Sequence, residues 1–431
     1  MAAEQARESR PPTRSRENST LLLIVAALVA YRIGYHASYL GEVPFAHATF
    51  SDGAVYEQSA RDILEHPPLG REPFYLQGAY AYLLALGMAI RPWPSLGLVV
   101  QLLLAFATLA LFHRSAVRLW GRTAGTWSSI ALLAHPGLAF YENKYLSAEL
   151  GVACNVLVLA CFVGLLRSDR PRWLLALGLG AASGLAMLAR PNMILALPFS
   201  LLAIVALSDA DDWRARARAA ALPGAALVLG TLLALAPMAA RNLIVTGHPD
   251  VQPVHGGGTS FFIGNNPEAN GVWNDGGLLS ARLGTESREL AAALDIDPAL
   301  DDRDRARAIG EALYARSFAW IREHPGAWAR LELRKLWLTI GDQQLTQDYD
   351  WLGERELLPW AHRIGVSFSM LLALGLLGVS SVFGRGSQTN CQPNLGGVFV
   401  AGAARRALMW FCLGQLLAPL AANLLFFTSA Q

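Results

Sequence analysis

Long uncharged apolar runs alternate with short polar segments along this chain. The runs cover 19–31, 95–112, 150–166, 173–189, 193–207, 220–238, 366–383 and 407–427. A helix needs about 20 mostly apolar residues to cross a bilayer. The pattern therefore predicts an all-α polytopic membrane protein, with spans near 19–36, 95–112, 124–140, 150–166, 173–189, 193–208, 220–238, 361–383 and 407–427.

One further apolar stretch, 74–90, is short, contains Gln77 and is bracketed by Pro73 and Pro92. The tendency of Arg and Lys to stay on the inner side decides whether it crosses. If it does not cross, the inner segments hold sixteen basic residues and the short outer ones five, namely Arg61, Arg71, Arg91, Lys144 and Arg190. If it crosses, the count inverts to seven inside and fourteen outside. The first arrangement is expected. It makes 74–90 an interfacial or re-entrant helix on the outer face, buried against protein. The resulting plan has about nine spans and an inner N-terminal tail over 1–18. A transmembrane module covers 19–238 with a first outer loop at 37–94. A second outer segment covers 239–360, and C-terminal spans lie within 361–431.

The outer segment 239–360 has its own texture. It opens with His255-Gly256-Gly257-Gly258 and Gly264-Asn265-Asn266-Pro267, then carries helix patterns near 281–293, 299–322 and 325–340, punctuated by proline and glycine.

Composition narrows the function classes. Of 431 residues, 53% are apolar and only 16% charged, against about 25% charged in soluble domains. A net charge of +2 carries no nucleic-acid signature. Cys154, Cys161, Cys391 and Cys412 form no CxxC pair, and three lie in or beside apolar runs. Polar residues with Arg7, Arg10, Arg14 and Arg16 precede the first run, which continues without a small-residue cleavage site, so an uncleaved first span is expected. No GK[ST] follows the Gly-rich stretch, and GxGxxG, HExxH and GxSxG do not occur.

Charged residues gather at the outer ends of the runs. Asp52 stands immediately before a helical pattern in which Tyr56, Ala60 and Ile63 recur on one face. It reads as an N-cap, and equally as a carboxylate held at the membrane surface. The short outer loop at 140–150 holds Tyr141, Glu142, Lys144 and Glu149. Glu149 opens the next span, where the helix dipole favours an anion. It is either paired with that dipole or with Lys144, or it is functional. Arg190, Arg241 and Lys335 lie at outer span ends, where arginine either snorkels or grips phosphate through its fork. Tyr56 and Tyr141 stand where an aromatic belt at the membrane interface would place them.

In order and spacing these stretches resemble the polytopic GT-C glycosyltransferases, specifically the bacterial family 39-like proteins. That group includes the dolichyl-phosphate-mannose protein mannosyltransferases and the lipid A aminoarabinose transferases. The likeness covers about 20–340. It rests on Ser51-Asp52 through Ala60, Phe74-Tyr75 through Ile90, Arg118-Leu119-Trp120-Gly121-Arg122 and His135-Pro136 through Tyr141. It continues through Leu146-Ser147-Ala148-Glu149, Leu188-Ala189-Arg190-Pro191-Asn192, Pro237 with Arg241-Asn242, Gly257 through Asn266, and His324-Pro325-Gly326 with Lys335. Relatives commonly continue past Gln431 with an arginine-bearing loop and more spans.

The resemblance implies sugar transfer from a polyprenyl-phosphate donor to a lipid, glycan or protein acceptor. The reaction would run on the periplasmic face of a bacterial inner membrane. It implies Asp52 and Glu149 as catalytic acids, Glu149 also as a holder of a divalent metal. Arg190, Arg241 and Lys335 would bind the donor phosphate, and Tyr56, Tyr141 and Asn265 would line the substrate site. Two rival classes are a lipid or polysaccharide transporter and a non-catalytic membrane scaffold. Charges clustered at one face of clean spans disfavour the transporter.

Overall fold

The computed structural model describes residues 13–167, 170–208, 210, 212–251, 253, 256–274, 277–279, 287–341, 345, 349–363, 365–384 and 402–426. Of the residues singled out above, Arg7, Arg10, His255 and Cys391 lie outside them, as does the first half of the helix pattern at 281–293. Every regular element among the described residues is helical. In chain order these are α1 (Thr13–Glu42), α2 (Asp52–Glu65), α3 (Gly78–Met88), α4 (Pro94–Trp120), α5 (Arg122–Leu133) and α6 (Pro136–Tyr141). Then come α7 (Ala148–Arg167), α8 (Arg172–Ala189), a 3-10 turn (Pro191–Ala196) running into α9 (Leu197–Ala206), and α10 (Trp213–Thr246). The last are α11 (Gly256–Gly264), α12 (Arg288–Ala293), α13 (Asp302–Glu323), α14 (Pro325–Ile340), α15 (Trp351–Leu357), α16 (Phe368–Gly384) and α17 (Gly402–Leu425).

Six of these helices are long and apolar enough to cross a membrane: Leu21–Glu42 of α1, and all of α4, α7, α8, α10 and α17. The chain is thus a helical, multi-pass membrane protein. Three of the nine predicted spans take shorter forms. The stretch 124–140 is interrupted at His135-Pro136, because proline forces the preceding residue out of helical geometry. The stretch 193–208 is a 3-10 turn followed by ten residues of α9, and 361–383 contributes the 17-residue α16. The ambiguous stretch 74–90 yields only the 11 residues of α3. At about 1.5 Å per residue that is about 16 Å, half a hydrocarbon core.

The bundle core lies among α7, α8, α9, α10 and α17, around Phe162, Leu179, Ala203, Leu227 and Phe411. Phe162 and Phe411 stack face to face at 4.0 Å. In lipid there is no hydrophobic drive between spans, so close approach of small residues does the work. Gly180 of α8 shows it: a Cβ there would lie 1.9 Å from the Leu227 carbonyl of α10, and Thr231 donates to the Gly180 carbonyl at 3.1 Å.

A second core sits at one end of the bundle, where Tyr31, Tyr35 and Tyr39 of α1 meet α2, α3 and the start of α4. A third, around Phe262, Ile309 and Leu313, joins α11, α12 and α13 into a separate lobe. Local chemistry sets the ends of the elements. Asp212 caps α10 by accepting from Arg214 N at 3.1 Å, and Gly247 ends it at φ 75°. Asp301 caps α13 by accepting from Arg303 N and Asp304 N, both at 3.0 Å.

Candidate functional site

The segment 142–147, between α6 and α7, is the hub. All six of its residues are buried. Buried loop backbone needs partners, and one apolar-run residue supplies them. Gln101 of α4 donates to the carbonyls of Tyr141 (3.1 Å), Glu142 (2.9 Å) and Lys144 (3.0 Å). Tyr145 O–H donates to the Ala46 carbonyl at 2.8 Å and ties the loop to the first outer segment.

On one side of this hub lies the start of α2. The cap position belongs to Ser51 (φ 50°), and Asp52 is the first helical residue, which corrects the N-cap expectation. Asp52 keeps partial exposure and gains from the dipole there. Gly53 lets this start settle on the hub, since a Cβ would lie 3.0 Å from Tyr145 Cβ and 3.3 Å from the Tyr349 hydroxyl.

Tyr56, one turn on, is buried. It donates to Gln77 at 2.5 Å, accepts from the Ser147 side chain, and meets Tyr80 edge-on at 4.7 Å. Burial pushes its hydroxyl pKa up, so it stays protonated. Arg190 leaves the end of α8 in extended conformation and lays its side chain over Gly151 of α7, where a Cβ would come within 3.0 Å of Arg190 Cγ. Its guanidinium lies within electrostatic reach of Tyr56, Tyr141 and Asp52. Desolvation lowers its pKa, but a guanidinium stays charged in proteins. Four of the predicted site residues, Asp52, Tyr56, Tyr141 and Arg190, thus come together.

The others are placed elsewhere. Glu149, buried in the first turn of α7, lies beside Glu142 and Arg32. Lys144, its expected partner, pairs instead with Glu354. Arg32 of α1 bridges Glu142 at 2.8 Å, and burial pushes the Glu142 carboxyl above its ordinary range against that pull. Of these two carboxylates, Glu142 is already held by the Arg32 guanidinium. Among the described residues no group of three His, Cys, Asp or Glu is arranged to hold a metal.

Arg241 clamps the loop after α2. It donates to the carbonyls of Leu69 (2.8 Å) and Glu72 (2.6 Å) and to Asn242 (3.1 Å), and lies 3.7 Å over the Phe74 ring. That loop leads to Gln77, the partner of Tyr56. Asn265 and Lys335 meet each other at 3.4 Å, at the C-terminal end of α17. Lys335 donates to the Leu424 carbonyl and Asn265 to the Leu425 carbonyl, both at 2.8 Å. They complete the last turn of α17, where a cation suits the dipole.

Sequence reasoning missed the second side of the hub. Lys144 is wholly buried, with its ammonium 3.9 Å from the Tyr39 ring centre and 4.2 Å from that of Phe140. It donates to Glu354, which also accepts from Tyr35 and lies 3.5 Å from His362. Burial lowers the Lys144 pKa to about 8, with Glu354 opposing. Burial alone would raise Glu354, but the His362 hydrogen bond and the Lys144 charge hold its carboxyl below the usual range. His36, one turn beyond Arg32, contacts Asn143 at 2.7 Å. The signal was present in α1: Tyr31, Tyr35 and Tyr39 recur every fourth residue beside Arg32 and His36, marking a polar-aromatic stripe inside an apolar element. Compared with known proteins, the chain matches no family model and no curated protein.

Proposed function

We propose that this chain is an integral membrane glycosyltransferase. It takes a sugar from a polyprenyl-phosphate donor and passes it to an acceptor hydroxyl at the outer face of a bacterial inner membrane. The observation that carries the reading is the grouping of Asp52, Tyr56 and Tyr141 with Arg190, which stands at the end of the membrane helix α8. A carboxylate that can accept a proton and a cation that can meet a phosphate stand at one membrane edge. Such a transfer needs both groups there, because the donor lipid cannot leave the bilayer.

The acceptor oxygen attacks the anomeric carbon with inversion as the bond to the lipid phosphate oxygen breaks. Asp52 takes the hydroxyl proton, general-base assistance worth roughly 10²- to 10⁴-fold. Arg190 stabilises the charge left on the phosphate. Tyr56 and Tyr141 flank the sugar. Arg241 positions Tyr56 through its loop, and Lys335 with Asn265 holds the α11–α14 lobe to α17. The membrane plan belonging to this reading has about nine spans, an inner N-terminus and the hub outside, as the arginine distribution supports.

The test is transfer of label from a panel of polyprenyl-phosphate sugars by the purified chain in lipid. Transfer from at least one donor is expected. No release of sugar from any donor, in protein that is folded and in lipid, contradicts the proposal.

A further inference from the structure

The outer faces of the lobe hold one stripe that the proposed reaction does not use. In α14, Leu333, Trp337 and Ile340 are 67%, 64% and 41% exposed, while Leu331 and Lys335 on the opposite face are buried. The exposed three follow i, i+4, i+7 spacing, one face of a helix. Arg330 and Arg334 are exposed beside them. An apolar stripe edged by cations on a 16-residue helix has the pattern of a helix lying in a membrane interface.

The packing fixes where that stripe stands relative to the bilayer. Lys335 donates to the Leu424 carbonyl at 2.8 Å, and Asn423 contacts Thr339 at 3.4 Å. The last two turns of α14 are therefore level with the last turn of α17, a helix long and apolar enough to span. Ser369 at the start of α16 donates to the Ile340 carbonyl at 3.2 Å. Exposed leucines stand on α16 and α17 as well, Leu374, Leu377 and Leu425 among them.

We infer that α14 is a membrane-surface helix. It inserts Leu333, Trp337 and Ile340 among the acyl chains at the bilayer edge where α17 ends, and sets Arg330 and Arg334 at the level of the lipid phosphates. Tryptophan suits that depth, with an apolar body and a polar N–H. Arginine reaches the phosphate plane by extending its stem along the apolar surface. The contact anchors the α11–α14 lobe to the lipid as well as to α17. It holds whether or not the chain transfers sugar.

Site-directed spin labelling tests this on the full chain in lipid nanodiscs, with the four native cysteines replaced by alanine. Leu333→Cys, Trp337→Cys and Ile340→Cys each carry a label, and Gly326→Cys, exposed at the start of α14, serves as reference. At 333, 337 and 340 collisions with oxygen should exceed those with a water-soluble nickel chelate, giving a positive depth parameter. At 326 the order should reverse. Nickel access at 337 equal to that at 326 would overturn the inference by placing the stripe in water. An immobile label shielded from both reagents would overturn it too, by showing protein over the stripe.

Discussion

The two sides of the 142–147 hub use charge in opposite ways. On one, Lys144 and Glu354 are sealed together, with Tyr35, Tyr39, Phe140 and His362 around them. On the other, Asp52 and Arg190 keep partial exposure beside two tyrosines. A sealed pair has no solvent to fall back on, so its value shows when one partner is removed. Two partly exposed charges cost the fold less and stay within reach of a ligand. The sealed side therefore builds the structure, and the partly exposed side is where chemistry is proposed.

Breaking the sealed side should have the largest effect on stability. Lys144→Met leaves Glu354 buried without its ammonium, and loss of one partner of such a pair costs about 3–5 kcal/mol. Denaturant unfolding in detergent should show that loss. A change below about 1 kcal/mol would equate the pair with a surface salt bridge and erase the contrast.

The same pair sharpens the comparison through pH. Folded Lys144 gives up its proton near pH 8, whereas an unfolded lysine holds it to about 10.5. Between those values the unfolded chain binds more protons, so raising pH favours the folded state. The melting temperature of the parent chain relative to Lys144→Met should therefore rise from about pH 8 upward. A difference that shrinks over that window would mean the ammonium is held more tightly in the fold than in solution.

The partly exposed side should respond in kinetics instead. If Arg190 holds the donor phosphate, Arg190→Ala removes a charge-assisted contact worth roughly 1.5–3 kcal/mol. The donor KM should rise about 10- to 150-fold with little change in unfolding. An unchanged KM would return Arg190 to a purely structural place over Gly151. The smallest effect should come from Tyr56→Phe, which deletes the bonds to Gln77 and Ser147, each worth about 1 kcal/mol. If that variant alters acceptor KM well beyond its stability loss, Tyr56 touches the sugar directly.

The α2 part of the partly exposed side was legible in the sequence, while much of the sealed side was not. Tyr56, Ala60 and Ile63 are the buried face of α2 that their spacing predicts, and Asp52 opens that helix. Short-range pattern suffices for α2, whose start, buried face and charge lie within a dozen residues, but not for its meeting with Tyr141 and with Arg190 at the end of α8. Glu354 stands 210 residues from Lys144, and no local pattern pairs two charges across such a distance. Arg32 and His36 were hidden for a different reason: they sit at the end of an apolar run, where hydropathy alone reads only a span. The interruption of 124–140 was written in Pro136, although the stretch is free of charge and long enough to read as a span. Arg241 and Lys335 show the converse limit. Their position at span ends was readable, whereas the loop carbonyls of Leu69 and Glu72, and that of Leu424, which they bind, required the fold.

The central claim is that Asp52 does chemistry rather than hold the fold. The most direct measurement is turnover of labelled polyprenyl-phosphate sugar by Asp52→Asn beside the parent chain, both in lipid. Ser51 occupies the cap position, so the substitution leaves the cap in place and removes the carboxylate's attraction to Arg190 and its interaction with the helix dipole, the latter about 0.3–1 kcal/mol. Unfolding should be nearly unchanged, donor binding should persist, and turnover should fall by at least about 10²-fold with loss of the general base. A folded Asp52→Asn that transfers sugar at close to the parent rate would contradict the account.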